Sequence, residues 1–169
     1  MSTLPILIAP DSRLKLRAKP VRRVDQAVQH LMDDMLETMY AQPGIGLAAP
    51  QVGESLRVIV IDVSHGGEKK SPIRMANPEI MWASDSSRIQ DEGCLSFPEH
   101  FVEVTRPDAI RVKYLDEFNK SQELEAEGIL STCIQHEIDH LDGILFVDHI
   151  SALRRKIIIR KLIKLKKSR

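Results

Sequence analysis

The chain has too few cysteines for a covalent framework, no apolar run long enough for a membrane, and no net charge. Two cysteines, Cys94 and Cys133, cannot staple 169 residues, and a ligand or core role suits them better. The apolar runs fall far short of the ~20 residues that a bilayer span needs. Met1 to Pro10 lacks a basic segment followed by a long apolar one, and nothing there resembles an Arg- and Ser-rich transit peptide. A cytoplasmic protein without a membrane partner is therefore expected. There is no internal repeat, and no low-complexity segment unless the basic C-terminus counts as one. What is present, 43% apolar and 28% charged residues, suits one soluble domain with a sizeable core.

The zero net charge hides a division. Ser151 to Arg169 holds nine of the 24 basic residues and none of the 24 acidic ones, leaving residues 1–150 with 15 basic against 24 acidic side chains. An acidic body of net charge −9 thus carries a cationic tail. Ser151 is an N-cap candidate, and Ile158, Ile159, Leu162, Ile163 and Leu165 cover one side of a helix.

The most informative stretch is Gln135-His136-Glu137-Ile138-Asp139-His140, which contains the H-E-x-x-H pattern. Residues four apart lie one turn apart on one face of an α-helix. His136 and His140 can therefore bind one metal ion, with Glu137 beside it as a base. Gly128 precedes the apolar run Ile129–Ile134, and Gly143 stands where a C-terminal cap is expected. At about 100° per residue, Ile129, Cys133, His136 and His140 share one stripe.

Elsewhere, Asp25 caps an expected helix to about Tyr40, with Val28, Leu31, Met32, Met35, Leu36 and Met39 as its core face. Gly44-Ile45-Gly46-Leu47-Ala48-Ala49-Pro50-Gln51 lacks the features of a phosphate loop. It reads as a tight turn into a strand over 56–63. Its small residues let a ligand approach the backbone, and Gln51 can donate a hydrogen bond without charge. Ser64–Ser71 reads as a polar loop, Arg74–Ala76 and Ile80–Trp82 as two strands, and Asp91–Pro98 as a break. Phe101–Thr105 and Ala109–Leu115 alternate like strands, and Glu117–Lys120 turns into a return strand over 122–126. One helix, several strands and then the His-bearing helix imply an α+β fold.

A catalytic metal site typically takes three protein ligands. Cys133 lies seven residues from His140, roughly 10 Å along the helix axis, too far for a metal–sulfur bond of about 2.3 Å. Cys94, 42 residues before His136 on a Gly-flanked segment, can be brought in by the fold. Cys133 is then a small apolar neighbour of the site.

Three stretches together, Gly44 to Gln51, Glu92-Gly93-Cys94-Leu95-Ser96 and Gln135 to His140, resemble the three motifs of the peptide deformylases in order and spacing. The resemblance implies antiparallel strands packed around a central metal-binding helix, plus a C-terminal helix. It implies a monomer that removes the N-formyl group from formyl-methionine at the start of nascent polypeptides. The implied cofactor is one divalent metal ion, Fe2+, with Zn2+, Ni2+ or Co2+ as substitutes. Cys94, His136 and His140 would be the metal ligands and Glu137 the base, with Gln51 and the Leu95 N–H stabilising the oxyanion. Ile45, Gly46, Gly93, Ile129 and Cys133 would bind substrate. Residues 1–150 would form the catalytic metallohydrolase domain, and the basic helix 151–169 would dock on the ribosome.

One position departs from some bacterial relatives, which carry an Arg three residues after the second motif's proline. Here that position is Phe101. A peptidase built on H-E-x-x-H would need a ligand downstream, where only His149 remains and no Asp or Glu follows Asp148. A non-enzymatic RNA-binding protein led by its tail would not require Glu137, Gln51 and Cys94 together.

Overall fold

The computed structural model describes residues 2–64 and 69–168. Its elements in chain order are helix α1 (Gln26–Ala41), strands β1 (Gly46–Ala48), β2 (Val58–Ile61), β3 (Ile73–Ala83), β4 (Ser87–Cys94), β5 (Phe97–Pro107), β6 (Ala109–Leu115) and β7 (Ser121–Glu127), then helices α2 (Gly128–Leu141) and α3 (Ala152–Lys167). The strands form a five-stranded antiparallel sheet, β1-β2-β3-β6-β7, and a separate β4–β5 hairpin. The architecture is α+β, as the order of elements suggested.

The four residues of β2 show how the core is divided, because all are fully buried and successive side chains face opposite ways. Val58 and Val60 meet the apolar stripe of α1, including Met32, Met35, Leu36 and Met39. Ile59 and Ile61 meet Cys133, Ile134, Ile138 and Leu141 of α2 on the other side. The sheet is thus sandwiched between the two helices. Local signals set the helix ends. Asp25 accepts a hydrogen bond from the Val28 N–H at 3.0 Å. Gly143 ends α2 in a left-handed turn at φ 74°, where a Cβ would lie 2.4 Å from the Lys15 carbonyl oxygen.

Two strand assignments change. Arg74–Ala76 and Ile80–Trp82 belong to one strand, β3, interrupted by shifts in its register with β6. At the interruption Asn77 takes φ 51°, and its amide both donates to and accepts from the Val21 backbone at 2.9 Å. Asp91–Pro98 is not a break: β4 runs to Cys94 and β5 begins at Phe97. The inward positions of β4 are mostly polar, ending in buried Glu92, so hydrophobic alternation could not reveal the strand. Of the Ser64–Ser71 loop, residues 65–68 lie outside the described residues.

A third cluster joins β5, the turn Phe146–His149 and α3 through Phe97, Val102, Val104, Phe146, Ile158 and Leu162. Only part of the tail's apolar side is covered: Ile158 and Leu162 are buried, whereas Ile163 is exposed. The tail's cations are not all free of acids either, since Arg155 pairs with Asp148 at 3.3 Å.

Candidate active site

The end of the β4–β5 hairpin meets the middle of α2, and there the second and third motifs converge. The donor atoms of Cys94, His136 and His140 all lie within 4.8 Å of one another. Cys94 Sγ is 3.5 Å from His140 Nε2. His136 Nδ1 is 2.9 Å from Glu92 Oε1, and an ionised carboxylate can only accept. Nδ1 therefore holds the proton, leaving the Nε2 lone pair for a metal.

Behind His136 runs a chain of polar and charged groups, buried at Glu92 and Arg106 and reaching the surface at His149. Arg106 grips Glu92 through Nε at 2.7 Å and Nη2 at 3.0 Å. Its Nη1 meets Asp139 Oδ2 at 2.9 Å, and that oxygen also meets His149 Nε2 at 2.9 Å. Burial alone would raise the Glu92 pKa, but His136 and Arg106 outweigh it and hold the carboxylate ionised. Sequence reasoning quoted Glu92 and Asp139 within motifs without giving them work, and it missed Arg106 entirely. An arginine at the end of an ordinary strand carries no local signal.

The electrostatics call for a cation. Burial favours neutral His136, yet Glu137, Cys94 and Glu92 together raise its pKa well above the usual value. Burial, followed by His136 and Arg106, lowers the His140 pKa well below its usual value, and a neutral imidazole is the form able to ligate a metal. Two imidazoles and a sulfur amid these negative groups fit a divalent transition metal, and three donors are the catalytic number.

Glu137 stands beside this cluster, 4% exposed, with Oε1 lacking a hydrogen-bond partner among the described residues. Burial pushes its pKa up to about 7, with His136 and Arg106 opposing and Glu92 and Asp139 assisting. Gly46 of β1 passes directly over it: a Cβ there would lie 2.6 Å from Glu137 Oε2 and 2.8 Å from Cys133 Sγ. Cys133 is absent from the three-donor cluster, and burial first, then Glu137, keeps its thiol protonated.

Gln51 is oriented from both ends of its amide. Oε1 accepts from the Ala48 N–H at 2.9 Å, while Nε2 donates to Ser96 Oγ at 3.1 Å and lies 3.5 Å from Cys94 Sγ. The Gly44–Gln51 stretch is therefore a short strand and a 3-10 turn, not a loop alone. Ile45, Gly46, Gln51, Gly93, Cys94, Leu95, Ile129, Cys133, His136 and Glu137 all line one cavity of about 550 Å³.

Fold and site together define a class: an α+β metallohydrolase whose H-E-x-x-H helix is joined by an upstream cysteine. The polypeptide deformylase family model matches residues 3–156. A peptide deformylase of Methylocella silvestris is 56% identical over 164 residues, covering 95% of this chain and 84% of its own. The crystal structure of peptide deformylase from Ehrlichia chaffeensis superposes with a TM-score of 0.94 at 39% identity, covering 99% of this chain and 98% of that one. Its complex with actinonin gives 0.92 at 41% identity, covering 97% and 98%. This chain belongs to the polypeptide deformylase family, metal-dependent hydrolases that remove the N-formyl group from nascent polypeptides.

Proposed function

We propose that Cys94, His136 and His140 hold one divalent metal ion, and that Glu137, Gln51 and Leu95 act with it on the formyl group of formyl-methionine. The observation that carries this reading is the convergence of three donors beside Glu137, a buried carboxylate poised near neutrality. When bound, the metal supplies Lewis acidity and acidifies water. Iron(II) is the proposed cellular ion, with zinc, nickel or cobalt as substitutes. Affinity rises from iron to zinc, so cellular supply decides occupancy.

Glu137 accepts a proton from the attacking water and passes it to the leaving amine, releasing formate. Gln51 Nε2 and the Leu95 N–H donate to the oxygen that gains charge. Losing one such donor costs about 10²–10³ in rate. The methionine side chain enters among Ile45, Ile129 and Cys133. Backbone groups of Ile45, Gly46 and Gly93, on or beside the open edges of β1 and β4, hold the peptide as an added strand.

Residues 1–150 act as the catalytic unit of a cytoplasmic monomer, with 151–169 appended. Among the described residues no helix is long and apolar enough to cross a membrane. Exposed Arg154, Lys161 and Lys164 on α3 suit ribosomal RNA phosphates, in contacts that weaken steeply with salt and read no base.

Formate release from a formyl-methionine peptide by anaerobically metal-loaded protein tests the chemistry. Glu137→Gln should keep its metal and lose about 10³ in turnover; near-wild-type turnover would overturn the role of Glu137. Replacing Arg154, Lys161 and Lys164 by Glu should abolish co-sedimentation with ribosomes at low salt while sparing formate release. Continued pelleting would remove α3 as the anchor.

A further inference from the structure

Strand β4 and helix α2 run side by side, and their contacts keep step. Arg88 lies over Gly128, where a Cβ would meet its Nη1 at 3.5 Å, and Glu92 meets His136 at 2.9 Å. Four strand residues rise about 13 Å and eight helical residues about 12 Å, so the two elements stay matched. Gln90, midway on the same face of β4, therefore stands beside Thr132, midway along α2. Both line the cavity that Ile45, Ile129 and Cys133 also line.

This pair brings hydrogen-bonding groups to the pocket for the first side chain. Thr132 is 4% exposed, and its hydroxyl oxygen has no hydrogen-bond partner among the described residues. In a helix a threonine hydroxyl can pair with a carbonyl one turn back, and this one does not. A buried hydroxyl left unpaired is costly, so a ligand that brings it an acceptor gains by relieving that cost. Gln90 is of like chemistry. Its Oε1 accepts from Arg88 Nη2 at 2.9 Å, which leaves Nε2 as the end that donates. Nε2 makes one long bond among the described residues, 3.4 Å to the Asp91 carbonyl oxygen.

We propose that Thr132 and Gln90 let this pocket take an oxidised first residue, so that chains beginning with formyl-methionine sulfoxide are deformylated alongside the unoxidised ones. This inference rests on the deformylase reading above and widens its substrate. The sulfoxide keeps the methionine skeleton and adds one polar oxygen. In a wholly apolar pocket that oxygen would lose its water with nothing in return, costing about tenfold to a hundredfold in rate. Here the Thr132 hydroxyl and the Gln90 amide replace the water. Both donors are uncharged, as a neutral oxygen requires, and Ile129 and Cys133 still offer apolar contact to an unoxidised thioether.

The test is kcat/KM for formate release from three amidated peptides, formyl-X-Ala with X as Met, norleucine or methionine sulfoxide. The metal-loaded wild type should process the sulfoxide peptide within about tenfold of the Met peptide. Thr132→Val exchanges the hydroxyl for a methyl of similar size and should lower the sulfoxide-to-norleucine ratio about tenfold. Gln90→Leu should lower it about fivefold. Thr132→Ser, which keeps a hydroxyl, should hold most of the ratio. Thermal unfolding and metal content establish that each variant is folded and loaded. If Thr132→Val does not fold, Gln90→Leu, at a half-buried strand position, carries the test. A wild type more than tenfold slower on the sulfoxide overturns this inference alone. So does an unchanged ratio in the folded variants, or a loss in Thr132→Ser as large as in Thr132→Val. No formate from any peptide overturns the reaction and this inference together.

Discussion

Glu92 and His136 share a hydrogen bond of 2.9 Å between a carboxylate oxygen and ring Nδ1, and both groups are buried. The bond reaches from the end of β4 to the middle of α2. It fixes which nitrogen of His136 faces Cys94 and His140.

Replacing Glu92 by Gln should therefore loosen metal binding without touching a ligand. Outer partners of this kind are worth about 10–100-fold in affinity. Arg106 would also lose its main counter-charge inside the protein, at a cost of about 3–5 kcal/mol. Metal loss to a chelator and thermal unfolding measure the two effects. Wild-type behaviour in both would remove Glu92 from the site.

The two cysteines should separate cleanly. Cys94→Asp keeps a negative ligand but substitutes a harder oxygen and alters reach, so metal retention or turnover should fall sharply. Cys133→Ser, at a thiol held protonated by burial, should keep its metal and most of its activity. Metal loss in Cys133→Ser with retention in Cys94→Ser would reverse the assignment.

Asp62 offers a stability prediction away from the chemistry. Its carboxylate is 4% exposed and accepts from Tyr40 Oη at 2.5 Å, Ser64 N at 3.0 Å, Ser64 Oγ at 2.5 Å and Ser71 N at 2.9 Å. Burial alone would raise its pKa, but these bonds prevail and lower it. A carboxylate depressed in the folded state contributes stability above its unfolded pKa of about 3.9. That contribution is lost as pH falls through the folded value. Asp62→Asn should cost on the order of 2 kcal/mol at pH 7 and less in acid. Urea unfolding at pH 7 and pH 3 should show the gap to wild type closing; a gap independent of pH would contradict the assignment.

The tail should be structural at two positions and dispensable for stability at a third. Leu162 is fully buried against the cluster that contains Phe146, whose ring lies 5.7 Å from that of His136. Leu162→Ala should cost about 3 kcal/mol and Ile158→Ala a comparable amount. Ile163→Ala, at an exposed position, should stay within about 0.5 kcal/mol. Denaturant melts that rank Ile163 with Leu162 would contradict this docking of α3.

What the sequence determined on its own was local. The spacing of His136 and His140, the cap at Asp25, the stop at Gly143 and the core stripe of α1 follow from helix geometry within a few residues. Rise per residue likewise sets Cys133 too far along the helix from His140 to share one metal ion with it. Only the tertiary structure decided which distant groups surround those residues. β4 escaped notice because its inward positions are mostly polar, and the buried one, Glu92, is satisfied by His136 and Arg106 instead of by apolar packing. Arg106, 14 residues from Glu92 in sequence, joined the site through the β4–β5 pairing, and Phe101 reached Gly93 through the same pairing. Strand register is a property of two segments at once, so no single stretch of sequence encodes it.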